Sequence, residues 1–115
     1  MGQSRKYLTL IFLLSSALNP TATLAQADRF DAGVSANARG HYATALRAWL
    51  PMAEEGVAEA QNNVGHMYEK GLGVAQNYAM AMQWYRRAAE QDLSEAELNI
   101  GLLYYYGYGV ATNHR

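Results

Sequence analysis

The chain of 115 residues contains no cysteine. No disulfide can therefore stabilise its fold, so the packing of side chains has to do so alone. Because no cysteine follows the apolar N-terminal stretch, there is also no site for lipid attachment, which argues for a soluble product. We expect a small domain that depends entirely on its core.

Clustered positive charge is also missing. Nine Lys and Arg against ten Asp and Glu give a net charge of −1, and from Asp28 onward seven basic residues face ten acidic ones, a net charge of −3. Proteins that bind nucleic acids usually carry a basic patch or stripe. Nucleic acid is therefore not expected as a partner, and the chain has no acidic tail either.

The N-terminus carries the pattern of a secretory signal peptide. A basic pair, Arg5–Lys6, precedes a largely apolar run over Tyr7–Leu18, and Ala25–Ala27 places small residues at the cleavage-determining positions. About twelve apolar residues are too few to cross roughly 30 Å of hydrocarbon comfortably. We expect residues 1–27 to be removed, leaving a periplasmic or secreted chain that begins at Asp28 and has no stable membrane insertion. An uncleaved anchor or a buried core helix is the alternative.

What the chain does contain is an internal repeat with a spacing of 36 residues. The shared pattern is Ala-x-x-x-(Val/Ile)-Gly-x-x-Tyr-x-x-Gly-x-Gly-Val-x-x-Asn, which starts at Ala60 and again at Ala96. A period of this length with helical patterning is typical of a solenoid, in which each unit buries its apolar face against its neighbours. Such surfaces bind other molecules and seldom carry out chemistry.

The pattern of each unit predicts two helices, A and B. In the first clear unit, helix A is expected from about Ala58 to Lys70, with Gly71 as a left-handed C-terminal cap. Asn77 is a good N-cap for helix B, which is expected from about Tyr78 to Gln91.

The following unit has its own signals. Ser94 and Glu97 fit a capping box at the start of the next helix A. Asp92 stands where Gly56 ended the preceding unit, so we expect it to adopt a positive φ at a cost of about 1 kcal/mol.

An earlier unit has the same helix B but a shorter connection. Gly33 and Ala45 are twelve residues apart, whereas Gly65 and Ala81 are sixteen apart, and the four missing residues are the Gly-x-Gly-Val insertion. A tight turn is expected at Arg39–His41. The predicted division is a signal peptide over residues 1–27, a tetratricopeptide-like helix pair over 28–56, a complete repeat over 57–92, and a truncated repeat with helix A and loop only over 93–115.

These residues resemble the Sel-one-like repeat, a relative of the tetratricopeptide repeat with a longer loop between its helices. Besides residues 96–110, the resemblance depends on a set of small, aromatic and glycine positions: Ala60, Gly65, Tyr68, Gly71, Gly73, Val74, Ala81, Trp84, Tyr85, Ala88 and Ala89. It implies an all-α, right-handed superhelix (an α-solenoid) of antiparallel helix pairs. It also implies a non-enzymatic adaptor, because most family members are adaptors of this kind. Exported bacterial members often act at the cell surface or on host proteins.

The chain departs from the family pattern in two ways. One branch of the family joins each helix pair with a disulfide, which this chain cannot do. The pattern also expects a helix B after Asn113, where the sequence has only His114 and Arg115. The last helix A is then uncovered, so we expect self-association through it or a longer array. A truncated, non-functional array is one alternative function.

Residues for chemistry are not arranged as a known site. His66 and Glu69 share a helix face but lack further ligands, so no metal is expected. The acidic residues are predicted to lie on solvated faces and at helix N-termini, and no nucleophile–base pair or phosphate loop is evident. We predict no catalytic residue, no cofactor and no enzymatic activity. An envelope hydrolase of unknown substrate is the enzymatic alternative.

The predicted function is binding of a protein or peptide in a concave groove lined by helices A, as the resemblance implies. The variable positions expected to determine specificity are Asn62, Asn63, His66, Asn99, Leu102 and Tyr105. Asn63 and Asn99 occupy the same place in successive units and could together hold an extended peptide backbone. Tyr105 and Tyr106 replace charged residues of the earlier unit, which leaves two alternatives open, recognition or packing against another helix.

Overall fold

The computed structural model describes residues 20–109 and contains only helices and turns in that range. The helices are α1 (Pro20–Ala38), α2 (Tyr42–Glu54), α3 (Ala58–Lys70), α4 (Tyr78–Ala89) and α5 (Ser94–Tyr106). Each helix packs against the next one along the chain. Helices A are thus α1, α3 and α5, and helices B are α2 and α4. This confirms the predicted all-α solenoid of helix pairs.

In the complete repeat, the glycine that ends helix A and the asparagine that caps helix B lie where the sequence predicted them. Helix α3 ends at Lys70, and Gly71 follows in the left-handed conformation with φ of 70°. The side chain of Asn77 accepts a hydrogen bond from the backbone N–H of Met80 at 3.0 Å, which caps α4. Helix α4 ends at Ala89, slightly earlier than expected, and Asp92 has the predicted positive φ of 64°.

The predicted capping box at the start of α5 is wrong. Leu93 takes the N-cap position, no side chain caps the helix, and Ser94 is already its first helical residue. The backbone N–H groups of Ala96 and Glu97 donate to the Leu93 carbonyl instead. Val57 starts α3 in the same way and packs on the core. In both units a half-buried apolar residue stands at the N-cap position, and the helix has no side-chain cap.

A glycine of helix A receives an aromatic ring of helix B in the first two units. Gly33 lies directly against the indole of Trp49, and a Cβ built on Gly65 would stand 2.7 Å from the ring of Tyr85. The ring ends are held by hydrogen bonds. Trp49 Nε1 donates to the Phe30 carbonyl at 3.1 Å. Close approach at these glycines lets the two helices of a unit share a core.

The N-terminal helix continues through the predicted cleavage point. Helix α1 begins at Pro20, upstream of Asp28, and ends before the short turn at Gly40, which has the expected positive φ of 78°. Residues 1–19 and 110–115 lie outside the described residues, so the signal peptide and the end of the last repeat stay predictions. Within the described range, no helix is long and apolar enough to cross a bilayer.

Candidate binding surface on helices A

The predicted groove residue Asn62 is part of a contact between helices. It is 6% exposed, and its Oδ1 accepts a hydrogen bond from Asn99 Nδ2 at 3.0 Å. Its own Nδ2 lies 3.5 Å from Glu95 Oε2. Asn62 therefore joins α3 to α5 and offers little surface to a partner.

The amide pair that forms differs from the one that the repeat spacing suggested. Asn99 is paired with Asn62, one residue away from the expected Asn63. Asn63 is half-buried and His66 is exposed, so both can contact a partner. The role of Asn63, His66 and Asn99 in binding stays a prediction.

Leu102 and Tyr105 lie exposed on α5, at 42% and 76%. In repeat register Tyr105 stands where Glu69 stands in the unit before. Glu69 lies beside helix B, because its Oε1 accepts a hydrogen bond from the Tyr85 hydroxyl at 2.8 Å. Tyr105 therefore occupies a position that faces helix B in the complete unit.

The Tyr85 hydroxyl is tightly enclosed at that contact. Burial raises its pKa far above the ordinary value, and the hydrogen bond to Glu69 and the negative charge of that carboxylate raise it further. Glu69 also pairs with Lys70 at 3.1 Å. Glu69 is thus a structural residue of the α3–α4 pair.

A second polar contact joins the turns that follow the two helices B. Gln91 Nε2 donates to the Gly56 carbonyl and to Gln61 Oε1, both at 2.9 Å. Gln61 Nε2 in turn donates to the Ala53 carbonyl at 3.1 Å. These bonds fix the distance between successive units, and sequence patterning gave no sign of them.

A pocket of about 290 Å³ lies between α1 and α3, at the N-terminal end of the helix A surface. Its apolar lining comes from Phe30, Met52 and Val57, and the carboxylates of Asp31 and Glu59 also line it. Gln26 and Ala27 complete the wall. Sequence reasoning missed this site. One sequence feature could have indicated it. Gly33 and Gly65 are 32 residues apart, and this offset places Asp31 of α1 in register with the predicted groove residue Asn63 of α3.

The pocket has an acidic electrostatic character. Both Asp31 and Glu59 are exposed, and no Lys or Arg is among the lining residues. Basic side chains of helix B are engaged elsewhere. Arg87 lies 4.5 Å from the Trp84 ring centroid, and Arg86 donates to the Tyr104 hydroxyl at 2.8 Å. A cationic group on a partner would therefore meet two carboxylates here without competition from a lining base.

Within residues 20–109, no group of three or more His, Asp and Glu side chains could hold a metal ion. The polar side chains of the surface form inter-helix bonds or face solvent. Such an arrangement supports recognition by hydrogen bonding and charge.

The fold and this surface define the protein as an all-α solenoid of the tetratricopeptide type. The profile of the Sel1 repeat family matches residues 58–93 and 94–115. The chain belongs to the Sel1 repeat family, whose members are typically non-catalytic scaffolds for protein–protein interaction.

Two solved structures show the same fold. A Sel1 repeat protein from Oxalobacter formigenes is 36% identical, with a TM-score of 0.68 over 75% of this chain and 34% of that chain. A protective antigen present in uropathogenic Escherichia coli strains, which displays an SLR fold, is 31% identical, with a TM-score of 0.71 over 76% of this chain and 20% of that chain. The chain thus spans about a third and a fifth of these two proteins. None of the curated proteins compared with the chain matches it.

Proposed function

We propose that this protein is an exported adaptor that binds a segment of a partner protein along its helices A. The family supports the general role, because Sel1 repeats are interaction scaffolds. The N-terminal pattern of basic pair, apolar run and small residues supports export. Cleavage before Asp28 would remove Gln26 and Ala27 from the pocket wall and leave its apolar floor in place.

The observation that carries binding along helices A is the pocket between α1 and α3. Its apolar floor of Phe30, Met52 and Val57 matches an aliphatic stem, and the carboxylates of Asp31 and Glu59 match a positive end. Lys and Arg combine these two properties, since their stems pack on apolar surface while the charged group stays solvated. The partner segment therefore carries a Lys or Arg that enters this pocket.

The half-buried amides of Asn63 and Asn99 and the exposed His66 extend the surface beyond the pocket. An extended segment anchored at Asp31 and Glu59 would continue over Asn63 and His66 toward Asn99. Amide side chains can pair with a peptide backbone through both a donor and an acceptor. The proposed site thus keeps three of the predicted groove residues, Asn63, His66 and Asn99, and adds the carboxylates of Asp31 and Glu59.

The experiment is binding of the purified protein to an array of short peptides with defined net charge. We expect selection of peptides that contain Lys or Arg, and about tenfold or greater loss of that binding in the double variant Asp31→Lys, Glu59→Lys. The matched control is Glu54→Lys with Glu90→Lys, which makes the same charge change at the exposed ends of helices B. Equal loss in both double variants would mean that only net charge matters, and the proposed site would be wrong.

A second interaction, self-association through α5, is favoured by a separate observation. Most of the large hydrophobic side chains that are exposed in the described range lie on α5 or in the turn after it, namely Leu98, Leu102, Tyr104, Tyr105, Tyr106 and Tyr108. Exposed apolar patches of this kind mark interaction surfaces. Sedimentation velocity at several protein concentrations tests it, and a monomer throughout would contradict it.

A further inference from the structure

Successive helices A meet at two junctions, the first between α1 and α3 and the second between α3 and α5, and both junctions have the same polar pair. Glu59 and Asn63 on α3 are in repeat register with Glu95 and Asn99 on α5, 36 residues later. In each helix the two residues are four positions apart and therefore share one face. Each junction thus has a carboxylate in the first turn of its second helix and a carboxamide one turn further on.

At the second junction, the preceding helix supplies a group that joins this pair. Asn62 of α3 has its Nδ2 at 3.5 Å from Glu95 Oε2, and its Oδ1 accepts a hydrogen bond from Asn99 Nδ2 at 3.0 Å. A carboxylate can only accept, so the N–H₂ group of Asn62 has to face Glu95 and its C=O has to face Asn99. Asn62 is buried by this contact. The protein therefore contains its own example of a carboxamide bound by this pair of residues.

At the first junction the corresponding residue is apolar. Helices α1 and α3 are offset by 32 residues, since Gly33 and Gly65 are that far apart. The structure confirms this register, because both glycines lie against an aromatic ring of helix B. The same offset places Phe30 of α1 where Asn62 stands in α3. A phenyl ring takes the position of the bridging amide.

The first junction consequently has the polar pair without the group that joins it. The ring of Phe30 lies against Trp49, with the ring centroids 6.0 Å apart, and it has no polar atom to bond to Glu59 or Asn63. Phe30 and Glu59 both line the pocket between α1 and α3. This pocket therefore opens at the place where the second junction holds its amide.

The geometry of the pair favours a side-chain amide over a peptide group as the missing bridge. Residues one turn apart on a helix are separated by about 5.4 Å along its axis, so the bridge has to present a donor and an acceptor on one edge. A primary carboxamide does this, because one of its two N–H bonds lies on the same side as its C=O. In a trans peptide group the N–H and C=O point in opposite directions. Ammonium and guanidinium groups have no acceptor.

We propose that the first junction binds the side chain of an Asn or Gln of the partner segment. Its N–H₂ group donates to the carboxylate of Glu59, and its C=O accepts from Nδ2 of Asn63. This inference rests on the proposed function and adds a second requirement to it, a carboxamide beside the Lys or Arg that Asp31 and Glu59 attract. Glu59 can contact both groups, because a carboxylate accepts several hydrogen bonds.

Fluorescence anisotropy with a labelled peptide library tests this requirement on the purified protein. Each peptide contains one Lys at a constant position, and either Gln or Met at one of the neighbouring positions. Methionine has a similar length but no amide. We expect Gln at one of these positions to bind at least about fivefold more tightly than Met, because one of the two added hydrogen bonds has a charged acceptor.

A variant of Asn63 separates the carboxamide from the cation. Asn63→Leu keeps the shape of the side chain but removes its donor, so the ratio of Gln to Met affinity should fall by at least about threefold. Binding should still depend on Lys, because Asp31 and Glu59 are unchanged. The control is Gln83→Met, which removes an amide at an exposed position on α4 and should leave the ratio within about twofold. A ratio that survives Asn63→Leu would overturn the inference.

Variants of Phe30 test the internal equivalence. Phe30→Asn restores at the first junction the amide that the second junction has, and this internal amide should compete with that of the peptide. Phe30→Leu removes the ring without adding an amide, so the ratio of Gln to Met affinity should fall further in Phe30→Asn than in Phe30→Leu. Circular dichroism checks that both variants keep their helices. Equal ratios in the two variants would contradict the proposed position of the carboxamide.

The library also distinguishes a failure of this inference from a failure of the proposed function. Binding that depends on Lys, with equal affinities for Gln and Met peptides, would overturn the carboxamide site and leave the proposed function standing. A preference for Gln that is the same with and without Lys would support the carboxamide site and overturn the proposed cation. No binding to any peptide would overturn both.

Discussion

Two glycines in the same repeat position should respond in opposite ways to replacement by alanine. Gly65 lies under the ring of Tyr85, with the added Cβ at 2.7 Å from the ring and 3.2 Å from the Ala81 carbonyl oxygen. Gly101, the same position one repeat later, has open space around it. Both glycines are inside helices, so the gain in helix propensity is the same for both.

The magnitudes follow from two opposing terms. Alanine is about 1 kcal/mol better than glycine inside a helix. At Gly65 this gain is outweighed by overpacking, which typically costs about 1–3 kcal/mol, because Tyr85 is fully buried and bonded to Glu69. We expect Gly65→Ala to lower the free energy of unfolding by up to about 2 kcal/mol and Gly101→Ala to raise it by about 0.5–1 kcal/mol.

Urea or thermal unfolding followed by circular dichroism measures both effects. In a domain of this size, 1 kcal/mol corresponds to about 4–8 °C in Tm. The protein is kept dilute in these measurements, because Gly101 lies on α5, the helix proposed to self-associate. Stabilisation by Gly65→Ala would refute the close packing on Tyr85. Destabilisation of the dilute monomer by Gly101→Ala would show that another part of the chain covers this glycine.

Three further predictions concern other contacts. Tyr85→Phe should reduce the loss of folding stability at alkaline pH. Because the pKa of Tyr85 is raised in the folded protein, its neutral hydroxyl stabilises the fold fully below the ordinary tyrosine pKa of about 10, and this contribution is lost as the pH rises above that value. Equal slopes of stability against pH for the variant and the unchanged protein would contradict this. Asn62→Ala should cost about 1–2 kcal/mol in urea unfolding because it leaves the Asn99 amide unpaired, whereas Asn63→Ala should change stability by less than about 0.5 kcal/mol and instead weaken peptide binding. Mass spectrometry of the exported protein should give an N-terminus at Asp28, and an intact N-terminus would contradict cleavage.

Sequence alone predicted the elements that depend on nearby residues. The 36-residue period, the left-handed Gly71 and the Asn77 cap were all predictable, because a helix end is determined by residues within one turn of it. The same local reasoning placed Asp92 in the left-handed region. The expectation for Ser94 was wrong, because Leu93 takes the N-cap position and Ser94 is already inside the helix.

The candidate site was less predictable. Repeat register suggested that Asn63 and Asn99 act together, but Asn62 faces α5 and bonds to Asn99. Which amide turns toward the neighbouring helix depends on the rotation of α3 relative to α5, and a shift by one residue turns a side chain by about 100°. The pocket at Asp31 and Glu59 is formed by residues on separate helices, so no single segment carries its pattern.

The sequence by itself determined that this chain is a stack of helix pairs of the Sel1 type, because its period and its glycines specify each unit locally. Only the tertiary structure decided which polar residues join the units, where an acidic pocket opens, and that Leu98, Leu102 and Tyr105 are exposed within residues 20–109. These features depend on the distance and rotation between helices. Those quantities arise from packing side chains that are distant in sequence, such as the ring of Tyr85 on Gly65.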